Sequence, residues 1–423
     1  MLRNFFLLFI IFFFQSGNLY ATDTVIFSSY DNGPSTSTTQ YNSPSGSSIA
    51  WGTVAARFLQ IVPEAGNFSN FRVAIINQPT AAAQFVFTVQ LAAAATPTTI
   101  NSTSVTCTIA GTDTACSDLS NSFAVAAGDL ILIQSVPSSS PAVAGTTKIS
   151  LKFASNTDGN TILTSYISIN SSTTATEYFQ LSGADNTYST TASDPTVETL
   201  MPVAGTIKNL YASTISAPGV GASRSYTVQL NGTNQALTCT ITGTELACSD
   251  TNSADGFAVV EGDDVVVTMV PTASPTASRQ RAAAVLVPTT ANQFASPVNF
   301  SAILDNTQTT YMKFSSGDSR VITTEATQQH ISEAMLVTKI LATVATAPGA
   351  NTSWVFTLRN NTADTAITCT IKDANTSCSG TGTIVVDAGD LLDTSVATSG
   401  TAATGTGRIA YQCKRFRRVM LTP

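Results

Sequence analysis

The fold is decided by residues 226–248, which read YTVQLNGTNQALTCTITGTELAC. Apolar and polar residues alternate along YTVQL, and the stretch is rich in Thr, Val, Ile and Tyr, which suit a half-buried pleated strand. Clusters of Gly, Asn, Ser and Asp interrupt such runs at short intervals, as turns do. A period of two residues, rather than 3.6, predicts β-strands joined by tight turns.

This stretch and its flanks occur three times in the chain. The first cysteine of each copy lies at position 107, 239 or 369, so the copies are 132 and then 130 residues apart. A Gly-Asp pair follows each copy, and each unit ends in a strand-like run. The three central segments are FVFTVQL…CTIAGTDTAC…FAVAAGDLILI, YTVQLNGT…CTITGTELAC…FAVVEGDDVVV and WVFTLRNNT…CTIKDANTSC…IVVDAGDLL.

A repeat of this length is the size of a complete domain with its own core. Removing residues 1–21 from 423 leaves 402, and 402 divided by three is 134, which matches the spacing. About eight short strands per unit predict two antiparallel sheets packed face to face, either jelly-roll or immunoglobulin-like. The long Ser/Thr-rich loops favour the jelly roll. We therefore expect an all-β protein with three tandem β-sandwiches, at 22–155, 156–291 and 292–423, arranged as a rod.

The N-terminal segment has the pattern of a secretory signal peptide, with cleavage expected after Ala21. Arg3 supplies the positive start, and residues 5–14 form an unbroken apolar run. Ten helical residues rise about 15 Å, whereas a bilayer core is about 30 Å thick, so a permanent anchor is the weaker interpretation. No later segment is long and apolar enough to span a membrane. The expected location is secreted, periplasmic or at the cell surface.

Six of the seven cysteines form three pairs with eight residues between them, one pair per unit. Export makes disulfides the expected outcome, while redox motifs usually space cysteines by two residues and zinc needs four ligands. We expect each pair to face across a hairpin with a two-residue loop, at 111–112, 243–244 and 373–374. The predicted bridges are Cys107–Cys116, Cys239–Cys248 and Cys369–Cys378.

The seventh cysteine, Cys413, lies in the last strand of the third unit, at the position of Phe153 in the first. An unpaired cysteine is usually a buried thiol that fills a core position. The alternative is an intermolecular disulfide, because odd cysteines in exported chains sometimes form cross-links.

Composition excludes several classes of function. Only 11% of the residues are charged, the net charge is −7 and there is one histidine, His330. A nucleic-acid binder needs a basic face, and a histidine-rich metal site needs more than one histidine. No P-loop, G-x-S-x-G or H-E-x-x-H motif occurs. Asp263 and Asp264 could bind Ca²⁺, but their placement between strands favours a turn. We expect no enzyme activity and no cofactor.

The NLYA…APG…YTVQLNGT…LTCTITGT…GD pattern resembles the Ser/Thr/Ala-rich jelly-roll repeats of uncharacterised bacterial surface proteins and of some phage-tail or fibre proteins. The resemblance covers the second and third units better than the first. It implies a jelly-roll fold in an extracellular setting and assigns no catalytic residue.

Two functional hypotheses follow, with an extracellular hydrolase as a distant third. The first is an exported structural or adhesive protein whose partners are other copies of itself or surface polymers, since exposed strand edges can pair. The second is an array of carbohydrate- or ligand-binding modules, because tandem weak sites gain avidity. In that hypothesis Trp51 is the candidate ligand contact, since the other tryptophan, Trp354, lies in a strand expected to be core.

Overall fold

The structure is a computed structural model that describes residues 23–46, 50–185, 187–300, 303–315 and 322–415. These residues form 29 β-strands and three single-turn 3-10 helices, at Ala55–Arg57, Ser253–Asp255 and Glu325–Thr327. The predicted all-β class is therefore confirmed. The predicted signal peptide lies outside the described residues. In the part of the chain that is described, no helix has the length and apolarity required to cross a bilayer.

The first unit consists of two sheets. One has the strand order β1-β9-β4-β7 and the other has β2-β8-β5-β6, with β3 also paired to β8. The strands are β1 (Asp23–Tyr30), β2 (Gln40–Asn42), β3 (Gln60–Ile61), β4 (Gly66–Ile75), β5 (Thr80–Ala92), β6 (Ile100–Gly111), β7 (Ala115–Val125), β8 (Leu130–Ser138) and β9 (Thr147–Ser155).

The second unit repeats this plan with additional short strands. Its sheets have the orders β12-β10-β20-β14-β17, with β18 also on β14, and β11-β19-β15-β16, with β13 also on β19. The strands are β10 (Thr161–Ile167), β11 (Glu177–Gln180), β12 (Gly183–Asp185), β13 (Thr199–Leu200), β14 (Gly205–Thr214), β15 (Ser223–Leu230), β16 (Thr233–Thr242), β17 (Ala247–Asp250), β18 (Phe257–Val259), β19 (Asp264–Thr272) and β20 (Gln280–Pro288).

The third unit has the orders β21-β29-β24-β27 and β22-β28-β25-β26, with β23 also on β28. The strands are β21 (Gln293–Phe300), β22 (Thr310–Lys313), β23 (His330–Ile331), β24 (Met335–Val344), β25 (Gly349–Asn360), β26 (Ala363–Asp373), β27 (Ser377–Val386), β28 (Leu391–Ser399) and β29 (Gly407–Arg415). The boundaries expected after residues 155 and 291 fall in the connections between β9 and β10 and between β20 and β21.

All three units share the jelly-roll strand order. When the main strands of a unit are counted one to eight along the chain, one sheet reads 1-8-3-6 and the other reads 2-7-4-5. Apart from the fourth and fifth, which are neighbours in one sheet, successive strands therefore alternate between the two sheets, which is the jelly-roll arrangement rather than the immunoglobulin one. The two sheets of each unit enclose a core of alternating side chains. In β16, for example, Leu237, Cys239 and Ile241 are buried between exposed threonines.

The three predicted disulfides are present, each with a Cα–Cα distance of 5.7 Å. The predicted two-residue turns are also present, since Asp113, Glu245 and Asn375 each donate a main-chain hydrogen bond to the carbonyl three residues earlier. The predicted hairpin ladder is wrong. In the first unit β6 pairs with β5 and β7 pairs with β4, so the strands beyond the turn belong to different sheets. Each disulfide therefore joins the two sheets at one open side of the sandwich.

The expected rod is also wrong, because the units form a closed ring. The first unit contacts the third through Phe27 and Phe314, whose ring centroids are 5.4 Å apart. The second contacts the first where the Thr164 hydroxyl donates to the Ile61 carbonyl at 2.7 Å. Leu200 of the second unit packs with residues of the third. An isolated unit would expose apolar side chains on its outer surface. Packing the three units around a common axis removes this surface from water.

Candidate functional site: the interfaces between units

Trp51, predicted as a possible ligand contact, is buried and only 7% exposed. Its ring packs edge-on to Tyr30 at 5.3 Å between centroids and lies 6.1 Å from the Phe87 ring. The reason is local, since Gly52 forms an isolated β-bridge with Tyr41 that folds the connection back over the core. Trp51 is thus a core residue, and the prediction that it contacts a ligand is wrong.

Cys413 lies on β29 and has no exposed surface. It belongs to the apolar core of the third unit, where burial raises the pKa of its thiol. The core interpretation is confirmed. The alternative of an intermolecular disulfide is wrong for the folded chain, because a second thiol has no access to this sulfur.

The Gly-Asp pairs form turns, as their spacing predicted. Each glycine has a positive φ, between +90° and +98°, and each aspartate accepts a main-chain hydrogen bond from the residue three positions earlier. No group of three or more potential metal ligands occurs among the described residues. The aspartates Asp129, Asp263 and Asp390 therefore serve to close the turns.

A cation occupies the same position of the last main strand in every unit. The second residue of β9, β20 and β29 is Lys148, Arg281 or Arg408, and each is at least nine-tenths buried. Each side chain reaches into the neighbouring unit. Sequence reasoning missed this set, although the signal was present: the three closing runs, KISL, RAAA and RIAY, all begin with a basic residue.

The interface between the first and third units is rich in polar groups. Lys148 Nζ donates to Gln329 Oε1 at 3.1 Å, and Lys313 Nζ lies 2.8 Å from both the Ser29 carbonyl and Asp31 Oδ1. Burial lowers the pKa of Lys148 to about 8, against the opposing charge of the buried Asp393. This interface therefore keeps its buried charges in contact with polar partners from the other unit.

His330, the single histidine, lies in this interface. Its ring stacks on Phe27 with 6.0 Å between centroids, and neither ring nitrogen has a hydrogen-bond partner among the described residues. Burial, and then the charges of Lys313 and Lys148, hold the pKa of the imidazole well below its usual value. The ring is thus neutral and acts as a packing group.

At the interface between the second and third units, one arginine forms ion pairs with two carboxylates. Arg408 Nη1 lies 2.8 Å from Glu198 Oε2 and also pairs with Asp264. Burial raises the pKa of Glu198 to about 7 despite the opposing effect of Arg408. Beside this group, Lys339 Nζ pairs with Glu261 Oε2 at 2.6 Å.

The interface between the first and second units is more apolar and contains a cleft. Phe58 and Tyr166 pack with 6.4 Å between ring centroids. Next to them lies a partly open cavity of about 390 Å³, to which both units contribute. Its walls include Leu59, Ala94 and Leu130 from the first unit and Ile215, Leu246 and Arg281 from the second.

No family model matches the chain, and no curated protein is significantly similar to it.

Proposed function

We propose that the protein is an exported structural protein that acts outside the cytosol as one compact block, with adhesion or self-association through its outward sheets. The observation that carries the proposal is the closed ring. One sheet of each jelly roll packs against a short strand of a neighbour, with β9 on β23, β20 on β3 and β29 on β13, and each jelly roll carries its own inter-sheet disulfide. Disulfides form and persist in oxidising compartments, so one bridge in every unit fits a protein that acts outside the cytosol.

The outward sheets support a role in surface contact. In every unit, two threonine hydroxyls on neighbouring strands form a hydrogen bond at an exposed site, at 2.9 or 3.0 Å. These equivalent pairs are Thr88–Thr106, Thr227–Thr238 and Thr357–Thr368. A hydroxyl group can both donate and accept a hydrogen bond, so these exposed pairs offer contacts to a neighbouring copy or to a surface polymer. The proposal assigns no catalytic step and no cofactor.

The alternative of a sugar-binding array has lost its candidate residue, because Trp51 is buried.

Small-angle X-ray scattering of the secreted mature chain tests the compact block. A globular chain of 402 residues should have a radius of gyration of about 21 Å, whereas three units of about 14 Å each in a row should give about 30 Å or more. Mass spectrometry of the same material should find a chain that begins at Thr22. Electron microscopy at increasing concentration should then detect ordered assemblies. A chain retained in the cytosol, or one that stays monomeric and binds no surface, would contradict the proposal.

A further inference from the structure

The three buried cations occupy equivalent positions but have different partners. Arg408 meets two carboxylates, those of Glu198 and Asp264. Lys148 meets the Gln329 amide and is influenced by the charge of Asp393. Arg281 has no carboxylate within ion-pair distance among the described residues. Among the described residues, Arg281 is thus the one of the three cations that has neither a carboxylate within ion-pair distance nor a carboxylate acting on it from further away.

The positions that would supply that anion are occupied by leucines. Glu198 immediately precedes β13, and Leu59 immediately precedes the equivalent strand β3. Asp264 follows a Gly-Asp turn as the first residue of β19, and Leu130 is the first residue of β8 in the same setting. Both leucines line the cavity between the first and second units, beside Arg281. At this interface, leucine side chains and the cavity thus occupy the space that carboxylates occupy at the interface between the second and third units.

The guanidinium of Arg281 is only partly satisfied. The residue is 3% exposed, its Nη2 donates to the Ala56 carbonyl at 2.5 Å, and its Nη1 lies 3.5 Å from the Ser213 hydroxyl. Its Nε has no hydrogen-bond partner among the described residues. Burying a charge without a counter-charge is costly, so a partner for this guanidinium is expected.

The surroundings of Arg281 add to its positive field. Arg57 and Arg279, together with Arg281, act on the Tyr166 hydroxyl, whose pKa burial raises to about 12. No acidic residue is among the groups that act on Tyr166. Among the described residues that line the cavity, Arg281 is the one with an ionisable side chain, so the cavity combines one positive end with uncharged walls.

We propose that the cavity between the first and second units binds a small amphiphilic carboxylate, whose head pairs with Arg281 and whose apolar chain lies along Leu59 and Leu130. The carboxylate takes the place that Glu198 holds beside Arg408. The volume of about 390 Å³ lies within the range of small-molecule sites. A medium-chain fatty carboxylate has both the single charge and the slender chain that the cavity requires.

Isothermal titration of the full mature chain with octanoate, octan-1-ol, acetate and inorganic phosphate tests the proposal without any variant. Octanoate should bind saturably at one site per chain, at least tenfold more tightly than the other three, because only octanoate uses both the cation and the apolar walls. Binding of octan-1-ol with equal affinity would show that the charge is not used. Equal binding of acetate or phosphate would show that the apolar walls are not used. Either result, or no saturable binding of octanoate, overturns the proposal.

Two variants then locate the site. Arg281→Met should weaken octanoate binding at least tenfold, which corresponds to about 1.4 kcal/mol. Leu59→Glu should abolish binding by restoring the internal anion that the second unit provides at Glu198. Lys339→Met, which removes a cation at a different interface, should leave the affinity unchanged. If Leu59→Glu folds by circular dichroism and binds octanoate as tightly as the parent chain, the assignment is wrong. If a variant fails to fold, the titrations of the unaltered chain still decide.

Discussion

At the scale of the residue, Cys413 illustrates how burial controls cysteine reactivity. Its thiol is enclosed in the third core, and its raised pKa disfavours the reactive thiolate. We predict that a thiol reagent labels no cysteine in the native chain and one cysteine per chain in denaturant without reductant. Alkylation followed by mass spectrometry measures both numbers. Native labelling at Cys413, or a disulfide-linked dimer on a non-reducing gel, would contradict the prediction.

A second prediction at this scale concerns Asp393, which has no exposed surface in β28. Burial, and then the charge of Glu325, raises the pKa of the Asp393 carboxyl to about 8, while Arg359 opposes the shift. Its ordinary value is 3.8, so the folded state holds the proton more tightly than the unfolded state does. The contribution of Asp393 to stability is therefore complete below about pH 4 and is lost as the pH rises towards about 8.

Asp393→Asn mimics the protonated carboxyl and should remove this loss. The free energy of unfolding of the variant should therefore increase relative to that of the parent chain between about pH 5 and about pH 7, so that the variant becomes relatively more stable. Urea denaturation at the two pH values measures the difference. Parallel denaturation of the parent chain at both pH values supplies the reference. A relative stability of Asp393→Asn that does not change with pH would refute the assignment.

At the scale of the element, the open side of the sandwich is closed by an aspartate in the first two units and by a close approach of two strands in the third. Asp118 on β7 accepts a hydrogen bond from the Thr106 main-chain nitrogen of β6 at 3.0 Å, and Asp250 does the same for Thr238 at 3.0 Å. These carboxylates satisfy donors on an edge strand. The third unit has Gly380 at this position, and a Cβ there would overlap the carbonyl of Thr368. In that unit β26 and β27 therefore approach each other with no side chain between them at this position.

Gly380→Ala should therefore destabilise the protein by about 1–3 kcal/mol, the usual cost of overpacking. Gly382→Ala on the same strand is the matched control, since its Cβ would lie 3.1 Å from the side chain of Ile367, a contact that a movement of a few tenths of an ångström relieves. The control should cost less than about 1 kcal/mol. Chemical denaturation of both variants gives the two values, and equal costs would show that the close approach of the edges is not tight.

At the scale of the whole molecule, the ring rests on side chains that lie between units. Phe27 is 1% exposed and packs in the core cluster of the third unit, although it belongs to the first. Phe85 is equally buried but lies inside the first unit. Replacing either by alanine should cost about 3–5 kcal/mol. Only the first replacement removes a contact that holds two units together.

Phe27→Ala should therefore separate the first unit from the third before either unfolds. In moderate urea, the radius of gyration should rise while circular dichroism still reports intact β-structure. Phe85→Ala, the matched control, should lose compactness and β-structure together. Scattering and circular dichroism on the same samples make the comparison. If Phe27→Ala remains compact until its strands unfold, Phe27 does not hold the ring closed.

Local chemistry made part of this architecture predictable. Alternating residues in stretches such as 226–230 specify strands, the spacing of Cys239 and Cys248 places two sulfurs on either side of a turn, and an aspartate after a glycine closes its own turn. Each of these features depends on residues less than about a dozen positions apart. The class of fold, the disulfides and the turns could therefore be predicted from the sequence.

Long-range packing decided the rest. The sequence of a strand is compatible with several pairing partners. Only the folded chain therefore shows that β6 and β7 belong to opposite sheets. The exposure of Trp51 depends on how a connection folds back, and the anion missing beside Arg281 is visible only when three units are compared in one ring. These features arise between residues of different strands or different units, where apolar faces and buried charges choose partners that the neighbouring residues in the sequence do not specify.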